Sequence, residues 1–422
     1  MGKQRRRLSA AIIVVLLLQV ASVLFQVPAA KANDMVDLKL DARTAILIDA
    51  ATGQVLFEMG ADEALPPASM SKMMTEYIVM DHIKTGKLKW ESIITVSKYA
   101  ASIVGSSALL AEGEQYTVRQ LFAAMSIYSA NDASVAFAEA ISGTEENFSK
   151  LMNQTAQKLG LSSKARFINA TGLSRADMEG NDPKSLPGET LLTARDSAML
   201  AYHIIKEHPD VLDFTKQPSY QLRTRDKDPM INWNWMVEAN KDNLYLRQYA
   251  YEGLDGLKTG HTDEAKWCLT ATAVRGGMRF ISVIMGAPTE PKRFQESKKL
   301  LDYGFNNFEK RTLVQSKLEL SQQKTVPVKK GKQLEVPIVT ESALELILKK
   351  GDKTEPTYQI QIVDETVRTA PIKAGTVLGK ATVLHNGKAV GQVNLVAASE
   401  VEKAGWFSLL LRSIGGFFNN LF

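Results

Sequence analysis

Two side chains that could form a nucleophilic pair lie three positions apart at the start of an apolar run. Ser69 and Lys72 precede residues 73–80, which read Met-Met-Thr-Glu-Tyr-Ile-Val-Met and predict a buried helix. Residues three apart share one face of a helix, so the amine can reach the hydroxyl. A serine is a poor nucleophile unless a base takes its proton, and burial can lower the pKa of a lysine enough for that role.

The same spacing occurs at Ser321 and Lys324, so the pattern alone is weakly specific. Ser321 lies in a polar stretch before a predicted strand, whereas Ser69 begins an apolar helix that can hold and desolvate the amine. We therefore expect the chemistry at Ser69 and Lys72.

A second polar motif, Ser129-x-Asn131, stands between two apolar helical runs at residues 122–125 and 133–136. One interpretation is a helix junction capped by the serine and asparagine side chains. The other is catalytic, with a hydroxyl that relays a proton and an amide that holds a peptide backbone. The motif by itself leaves both open.

The third motif, Lys258-Thr259-Gly260, begins a predicted strand, and the same triplet at residues 84–86 follows the helix that starts near Ser69. Helix termination explains the earlier copy, because glycine suits the end of a helix and lysine complements the negative end of its dipole. In the later copy, glycine permits close approach of an extended ligand. The lysine and threonine can present a cation and a hydroxyl to a carboxylate.

The three motifs, in this order on a helix, a helix junction and an edge strand, resemble those of the serine penicillin-recognising enzymes. Within that group, the chain is similar to the low-molecular-mass penicillin-binding proteins that act as D-alanyl-D-alanine carboxypeptidases. Residues 68–75, 129–133 and 258–262 carry the similarity, which extends over nearly the whole chain after residue 32. One departure is an enlarged loop, containing tryptophans, between Ser219 and Gly253.

The resemblance implies that Ser69 attacks the penultimate D-alanine carbonyl of a peptidoglycan pentapeptide stem, without a cofactor, and that β-lactam antibiotics inhibit covalently. It implies Lys72 as general base and Ser129 in the proton relay, although which of them acts in each step stays open. It also implies an oxyanion hole formed by the main-chain N–H groups of Ser69 and His261; an acid–base role for His261 is a competing hypothesis. The remaining substrate-binding residues that it implies are Asn131 for the peptide amide, and Lys258, Thr259 and Gly260 for the terminal carboxylate or leaving group.

A carboxypeptidase must also sense the free carboxylate of its substrate, and an arginine binds carboxylate through two parallel hydrogen bonds. Our candidate is Arg293, in the predicted loop 288–293 after the strand that ends at Gly286. By resemblance, that strand neighbours the Lys258 strand. The alternative is a solvated arginine at the start of the next helix.

Two other functions must be weighed against the carboxypeptidase. A class A β-lactamase deacylates with a glutamate in a Glu-x-x-Leu-Asn segment, and the nearest match is Glu189 with Thr193 in place of the asparagine. Thr193 is better explained as a helix cap. A catalytically silent penicillin-binding scaffold is the second alternative, but every position of the three motifs is intact.

The elements that must position these motifs follow from changes of periodicity. Residues 45–57 predict a hairpin, residues 69–210 are mainly helical with capping boxes at Thr117 and Thr193, and strands at 267–274 and 278–285 precede a helix at 291–308. Strands at both ends of a helical insert indicate one α/β unit whose first and last strands share a sheet.

Beyond residue 310 the chain predicts short strands, two of them joined by the hairpin signal Asn386-Gly387. We therefore predict an α/β (α+β) penicillin-binding/β-lactamase-like transpeptidase domain at residues 33–308. A small β-rich sandwich domain at 309–399 and an amphipathic helix at 400–422 follow it.

Composition excludes some partners. The chain of 422 residues has 51 basic and 46 acidic residues, and the surplus lies within the first 32 residues, which contain no acid. The rest is electrically balanced, which argues against nucleic-acid binding. The histidine spacing and the lone Cys268, which we expect to be a buried strand thiol, predict no metal site.

The sequence patterns at both ends of the chain predict contact with a membrane. Basic residues, an apolar run over 10–25 and the sequence Ala30-Lys31-Ala32 predict a signal peptide cleaved after residue 32, although an uncleaved anchor is the alternative. We expect an extracytoplasmic protein. Residues 406–422 place aromatic and aliphatic side chains at helical spacing and predict a helix that attaches peripherally to the outer face of the cytoplasmic membrane.

Overall fold

The computed structural model describes residues 36–178 and 180–419, with side-chain detail up to Arg412. The predicted signal peptide lies outside these residues. Residues 36–39 form no helix or strand, and a compact unit begins at Leu40. The α-helices are α1 (Lys72–Lys84), α2 (Lys98–Ser102), α3 (Val118–Tyr128), α4 (Asn131–Ser142), α5 (Glu145–Lys158), α6 (Ala194–Glu207), α7 (Leu212–Thr215), α8 (Glu290–Asn307) and α9 (Trp406–Asn419).

Short 3₁₀ turns occur at Ala68–Ser71, Ala176–Met178, Pro209–Val211 and Glu238–Asp242. The strands are β1 (Thr44–Asp49), β2 (Val55–Met59), β3 (Ala64–Leu65), β4 (Ile93–Thr95), β5 (Gln115–Thr117), β6 (Leu192–Thr193), β7 (Ser219–Tyr220), β8 (Met230–Ile231), β9 (Leu254–Thr262), β10 (Lys266–Arg275), β11 (Met278–Ala287), β12 (Phe308–Val314), β13 (Thr325–Pro327), β14 (Glu335–Thr340), β15 (Leu344–Lys349), β16 (Thr357–Ile362), β17 (Val377–His385) and β18 (Lys388–Ala397).

The main sheet has the order β2-β1-β11-β10-β9 and is antiparallel throughout. The first strand lies beside the last, with Ile46 opposite Val283, as the sequence predicted. Helices α6 and α8 pack on β1 and β11. Every residue of β1 is buried, which explains its nearly continuous apolar sequence. Strand β9, which carries the third motif, forms the edge that faces the helical insert.

The helical insert surrounds α1, whose residues 72–80 are all buried. A helix that is apolar on all faces requires packing on all sides, and α3 to α6 provide it. The predicted capping boxes at Thr117 and Thr193 are both present and begin α3 and α6. The insert is less uniformly helical than predicted, because two short strand pairs and the irregular residues 160–191 interrupt it.

The C-terminal region folds as predicted into a β-rich domain. A sheet of order β13-β14-β18-β17-β16 shares one hydrophobic core with the pair β12-β15, and Asn386 and Gly387 form the β17-β18 turn with positive φ. Strand β12 was not predicted; it begins at Phe308, directly after α8 ends at Asn307. Val401 and Ala404 are also buried against this domain.

Helix α9 follows at Trp406, and its first turns are exposed. Trp406 is 77% and Phe407 59% exposed. Arg412 donates hydrogen bonds to the carbonyls of Gly331 (2.7 Å) and Lys332 (3.0 Å) and so ties the helix to the β-rich domain. None of the described helices combines the length and apolar character needed to cross a bilayer.

Candidate active site

Ser69 lies in the 3₁₀ turn that leads directly into α1. Its Oγ is half-buried and lies 2.9 Å from Nζ of Lys72, as the spacing predicted. The turn is held against the edge strand, because a Cβ on Gly260 would lie 2.4 Å from the carbonyl oxygen of Pro67. Glycine is therefore required at the third motif for a packing reason as well as for ligand approach.

Lys72 is completely buried, and its amine has two further partners. Nζ lies 2.7 Å from Oδ1 of Asn131 and 2.8 Å from the carbonyl oxygen of Thr171. Both of these oxygens can only accept hydrogen bonds. A neutral amine would use its two N–H groups on them and point its lone pair at the hydroxyl of Ser69. Burial, with a smaller contribution from the Lys258 cation, holds the pKa of Lys72 well below its usual range and favours this neutral form.

The Ser129 motif is a helix junction, and it also lies at Lys72. Ser129 ends α3 in the left-handed conformation with φ 66°, and its buried Oγ has no hydrogen-bond partner among the described residues. Asn131 accepts from Lys72 and donates through Nδ2 to the carbonyl of Val104 at 2.6 Å. Asn131 therefore orients Lys72. Its amide has a second N–H group and a second lone pair on the oxygen, so binding of a peptide amide stays a prediction.

The third motif lies along the middle of β9, at the sheet edge. Lys258 is buried, and its Nζ donates to the carbonyl of Thr259 at 3.2 Å. Burial lowers the pKa of Lys258 to about 8. The His261 ring stacks on Trp267 with a centroid distance of 3.7 Å, and burial lowers the pKa of its imidazole. The structure therefore brings Asn131 of the second motif to Lys72 and places the strand of the third motif against the turn that carries Ser69.

Arg293 lies in the first turn of α8, not in the preceding loop, and the solvated alternative is wrong because the residue is only 2% exposed. Its Nη1 donates to the carbonyl of Gly260 (3.4 Å), and Nη2 pairs with Glu290 (2.7 Å). The guanidinium lies over the Trp267 ring at 4.9 Å. Burial lowers its pKa to about 10, and the group lies against the third motif with Nε unpaired among the described residues.

Sequence reasoning missed Glu76, which lies one turn beyond Lys72 on α1 and is fully buried. Burial raises the pKa of its carboxyl to about 7, while the Lys258 and Lys72 cations oppose that rise. No hydrogen bond of ordinary geometry reaches either oxygen among the described residues, although the Ser126 hydroxyl lies near enough to lower the pKa. An acid inside an otherwise apolar run was a usable signal that it faces buried cations.

The glutamate of the β-lactamase alternative lies elsewhere. Glu189 accepts a hydrogen bond from the main-chain N–H of Arg175 at 3.1 Å, and Thr193 caps α6. The segment that contacts Lys72 contains Gly172, where a Cβ would lie 2.0 Å from the Ala68 carbonyl. This segment therefore packs closely on the turn that carries Ser69.

Cys268 is a buried strand thiol as predicted, and burial raises its pKa to about 11. Across residues 36–178 and 180–419, no group of three or more His, Cys, Asp or Glu side chains could hold a metal ion.

Comparisons with known proteins find two matching family models and similar curated proteins. Residues 29–289 match the D-alanyl-D-alanine carboxypeptidase family, and residues 308–403 match the penicillin-binding protein 5 C-terminal domain. D-alanyl-D-alanine carboxypeptidase DacF of Bacillus subtilis (strain 168) is 35% identical over 412 residues, covering 97% of this chain and 98% of its own.

Solved structures show the same similarity. The peptidoglycan synthesis regulatory factor PBP3 of Streptococcus pneumoniae is 29% identical with a TM-score of 0.74, covering 86% of this chain and 100% of its own. Penicillin-binding protein D2 of Listeria monocytogenes, solved in its ampicillin-bound form, is 33% identical with a TM-score of 0.54, covering 64% of this chain and 99% of its own.

Proposed function

The chain belongs to the D-alanyl-D-alanine carboxypeptidase family and is a serine hydrolase of that type, and we propose that it removes the terminal D-alanine of peptidoglycan pentapeptide stems through an acyl-enzyme on Ser69. The observation that carries this proposal is the contact between Ser69 Oγ and Lys72 Nζ. Two acceptor oxygens occupy two of the N–H groups of Lys72, so in its neutral form the amine would direct its lone pair at the serine proton.

In the proposed reaction, Lys72 accepts the proton of Ser69 as the oxygen attacks the penultimate D-alanine carbonyl. The tetrahedral oxyanion forms against the main-chain N–H groups of Ser69 and His261. The amide bond breaks, and the departing D-alanine amine takes a proton delivered through Ser129. Water then hydrolyses the ester. The unpaired Ser129 hydroxyl supports the relay, because a buried donor without a partner is free to take part in the transfer.

The terminal carboxylate would lie beside Lys258, Thr259 and Arg293, which bring two buried cations and a hydroxyl to one end of the cleft. Since the Listeria relative was solved with ampicillin, we extend the proposal to β-lactams, whose ring carbonyl would acylate Ser69. The amine released by ring opening stays attached to the acyl group and would block the approach of water to the ester on Ser69, so these antibiotics would inhibit rather than be consumed.

The function is tested by measuring D-alanine released from a pentapeptide ending in D-Ala-D-Ala, with the tetrapeptide lacking the last residue as control. We expect release from the first substrate alone and slow turnover of penicillin. Rapid penicillin hydrolysis without D-alanine release would identify a β-lactamase. Penicillin labelling without D-alanine release would identify a silent scaffold.

Replacing Arg293 with alanine is expected to lower turnover of free-acid peptides by about 10- to 100-fold, since a buried charge-assisted contact is lost. Turnover of the matching C-terminal amides or esters should change far less, because they carry no terminal charge. Both substrate series are assayed with the same variant. Equal losses of turnover on both substrate series would indicate that Arg293 has only a structural role.

Replacing Glu76 with glutamine is expected to move the pH–rate profile for acylation toward lower pH. The Glu76 anion raises the pKa of both Lys72 and Lys258, so its removal lowers both values. Lys72 then loses its proton at lower pH, and Lys258 loses its charge at lower pH. Acylation by penicillin is measured across the pH range in which each variant is folded. Glu76→Asp keeps the charge and should leave the pH–rate profile of acylation unchanged. An unchanged profile in Glu76→Gln would contradict this expectation.

We further propose where the protein is located in the cell and where its domains begin and end. Removal of residues 1–32 would leave a catalytic domain at 33–308, a β-rich domain at 309–399 and a C-terminal segment at 400–422, outside the cytoplasmic membrane. Exposed Trp406, Phe407, Leu410 and Leu411 support peripheral attachment through this segment, because burying such side chains in the interface is favourable.

A chain that ends after Gly405 should leave the membrane and keep its D-alanine release. This cut retains Val401 and Ala404, which are buried in the β-rich domain, and removes only α9. The measurement is the distribution between membrane and soluble fractions after signal cleavage. A full-length Trp406→Glu, Phe407→Glu variant should also be released. Retention of the shortened chain on membranes would contradict the anchor.

A further inference from the structure

The turn that carries Ser129 is supported by its own helix and by groups outside that helix. Its left-handed backbone is unfavourable for a residue with a Cβ, at a cost comparable to one or two hydrogen bonds. The preceding residue, Tyr128, is the last of α3, so its carbonyl has no partner within the helix. Within the helix, the main-chain N–H groups of Ser129 and Ala130 donate to the carbonyl of Ala124. The groups that bind the Tyr128 carbonyl add support to this turn from outside the helix.

Two side chains bind the Tyr128 carbonyl. The hydroxyl of Ser106 donates to it at 2.9 Å, and the indole N–H of Trp233 donates at 2.9 Å. Together they occupy both lone pairs of the oxygen. The Trp233 ring also packs on the Tyr128 ring, with centroids 5.6 Å apart and planes at 31°.

Trp233 belongs to the enlarged loop between Ser219 and Gly253, and the loop is anchored on both sides of it. Asn232 donates to the carbonyls of Thr215 (2.9 Å) and Gln217 (2.8 Å), and Asn234 donates to the carbonyl of Gly256 (3.3 Å). Both asparagines are buried. The indole is thus presented from a rigid segment that also contacts the strand carrying Lys258.

We propose that Trp233 is a positioning residue, which holds the Tyr128 carbonyl and thereby fixes the turn that places the Ser129 hydroxyl in the active site. The inference rests on the proposed relay function of Ser129. It assigns a catalytic purpose to the enlarged loop: the loop completes the hydrogen bonding of the second motif from outside the helical insert.

The test compares Trp233→Phe, which keeps an aromatic ring but loses the N–H donor, with Trp235→Phe in the same loop. Trp235 stacks on Phe294 at 4.9 Å, and its ring nitrogen has no recorded hydrogen bond among the described residues. The penicillin acylation rate constant and the kcat and KM for D-alanine release are measured below the unfolding temperature of each variant. We expect Trp233→Phe to lower acylation and kcat about fivefold with KM unchanged, as for one lost hydrogen bond. Trp235→Phe should stay near the wild-type values.

A double mutant with Ser129→Ala separates this inference from the proposed function. Groups that act as a unit are not additive, so Trp233→Phe should cause no further loss of acylation when Ser129 is already absent. Equal losses from Trp233→Phe and Trp235→Phe, no loss from Trp233→Phe, or the same loss in both backgrounds would each refute the inference. A fully active Ser129→Ala enzyme would instead refute the relay itself, and the inference with it.

Discussion

Ser69→Ala is expected to abolish covalent labelling by penicillin and to reduce D-alanine release to the background rate. The substitution removes one oxygen from a half-buried side chain whose recorded partner is Lys72, so the fold should remain intact. Without Oγ no acyl-enzyme can form, and any residual hydrolysis would come from binding and the oxyanion hole alone.

The measurement is intact-mass detection of the penicilloyl adduct after denaturation, with thermal unfolding as the folding control. Ser321→Ala is a matched control, because Ser321 has the same spacing to a lysine but lies exposed in the β-rich domain. It should label like the wild type. An adduct on Ser69→Ala would place the nucleophile elsewhere.

Lys72→Met is expected to lower the acylation rate constant by about 10²- to 10⁴-fold, the range found for loss of a general base. Methionine keeps most of the buried volume but has no amine, so the acceptor oxygens of Asn131 and Thr171 lose a donor and the Ser69 proton has no base. Lys84→Met is the control on the same helix, at its exposed end, and should acylate normally.

The pH dependence sharpens this prediction. A base must be neutral to act, and burial has already lowered the pKa of Lys72. Wild-type acylation should therefore decline as the pH falls through this lowered pKa, because Lys72 gains a proton there and can no longer act as a base. The residual rate of Lys72→Met should lack this acid limb. If the rate of Lys72→Met declines at low pH in the same way, the decline must come from the titration of another group.

Local physical chemistry accounts for what could be predicted from the sequence. The pairing of Ser69 with Lys72 follows from helix periodicity, the start of α6 from the capping box at Thr193, and the β17-β18 turn from Asn386-Gly387. Each depends on residues within four positions of one another. The order of the three motifs also identified the family, because residue types at chemically required positions can be read without coordinates.

Long-range packing decided the rest. The sequence did not predict that the Asn131 amide binds Lys72 and the carbonyl of Val104. It assigned Arg293 to a loop, but the fold buries the guanidinium against β9. In each case the partner lies at least 27 positions away in the chain, where sequence spacing carries no geometric information.

Thr171 and Trp233 show the physical reason most clearly. Thr171 orients Lys72 through a main-chain carbonyl, which every residue type possesses, so no side chain could signal it. Trp233 donates to another main-chain carbonyl, 105 positions away. The sequence by itself determined the family and the local elements, and it led to the proposed nucleophile and its neighbouring amine. Only the tertiary structure decided which buried carbonyls and cations surround them, because those contacts depend on how separate elements pack together.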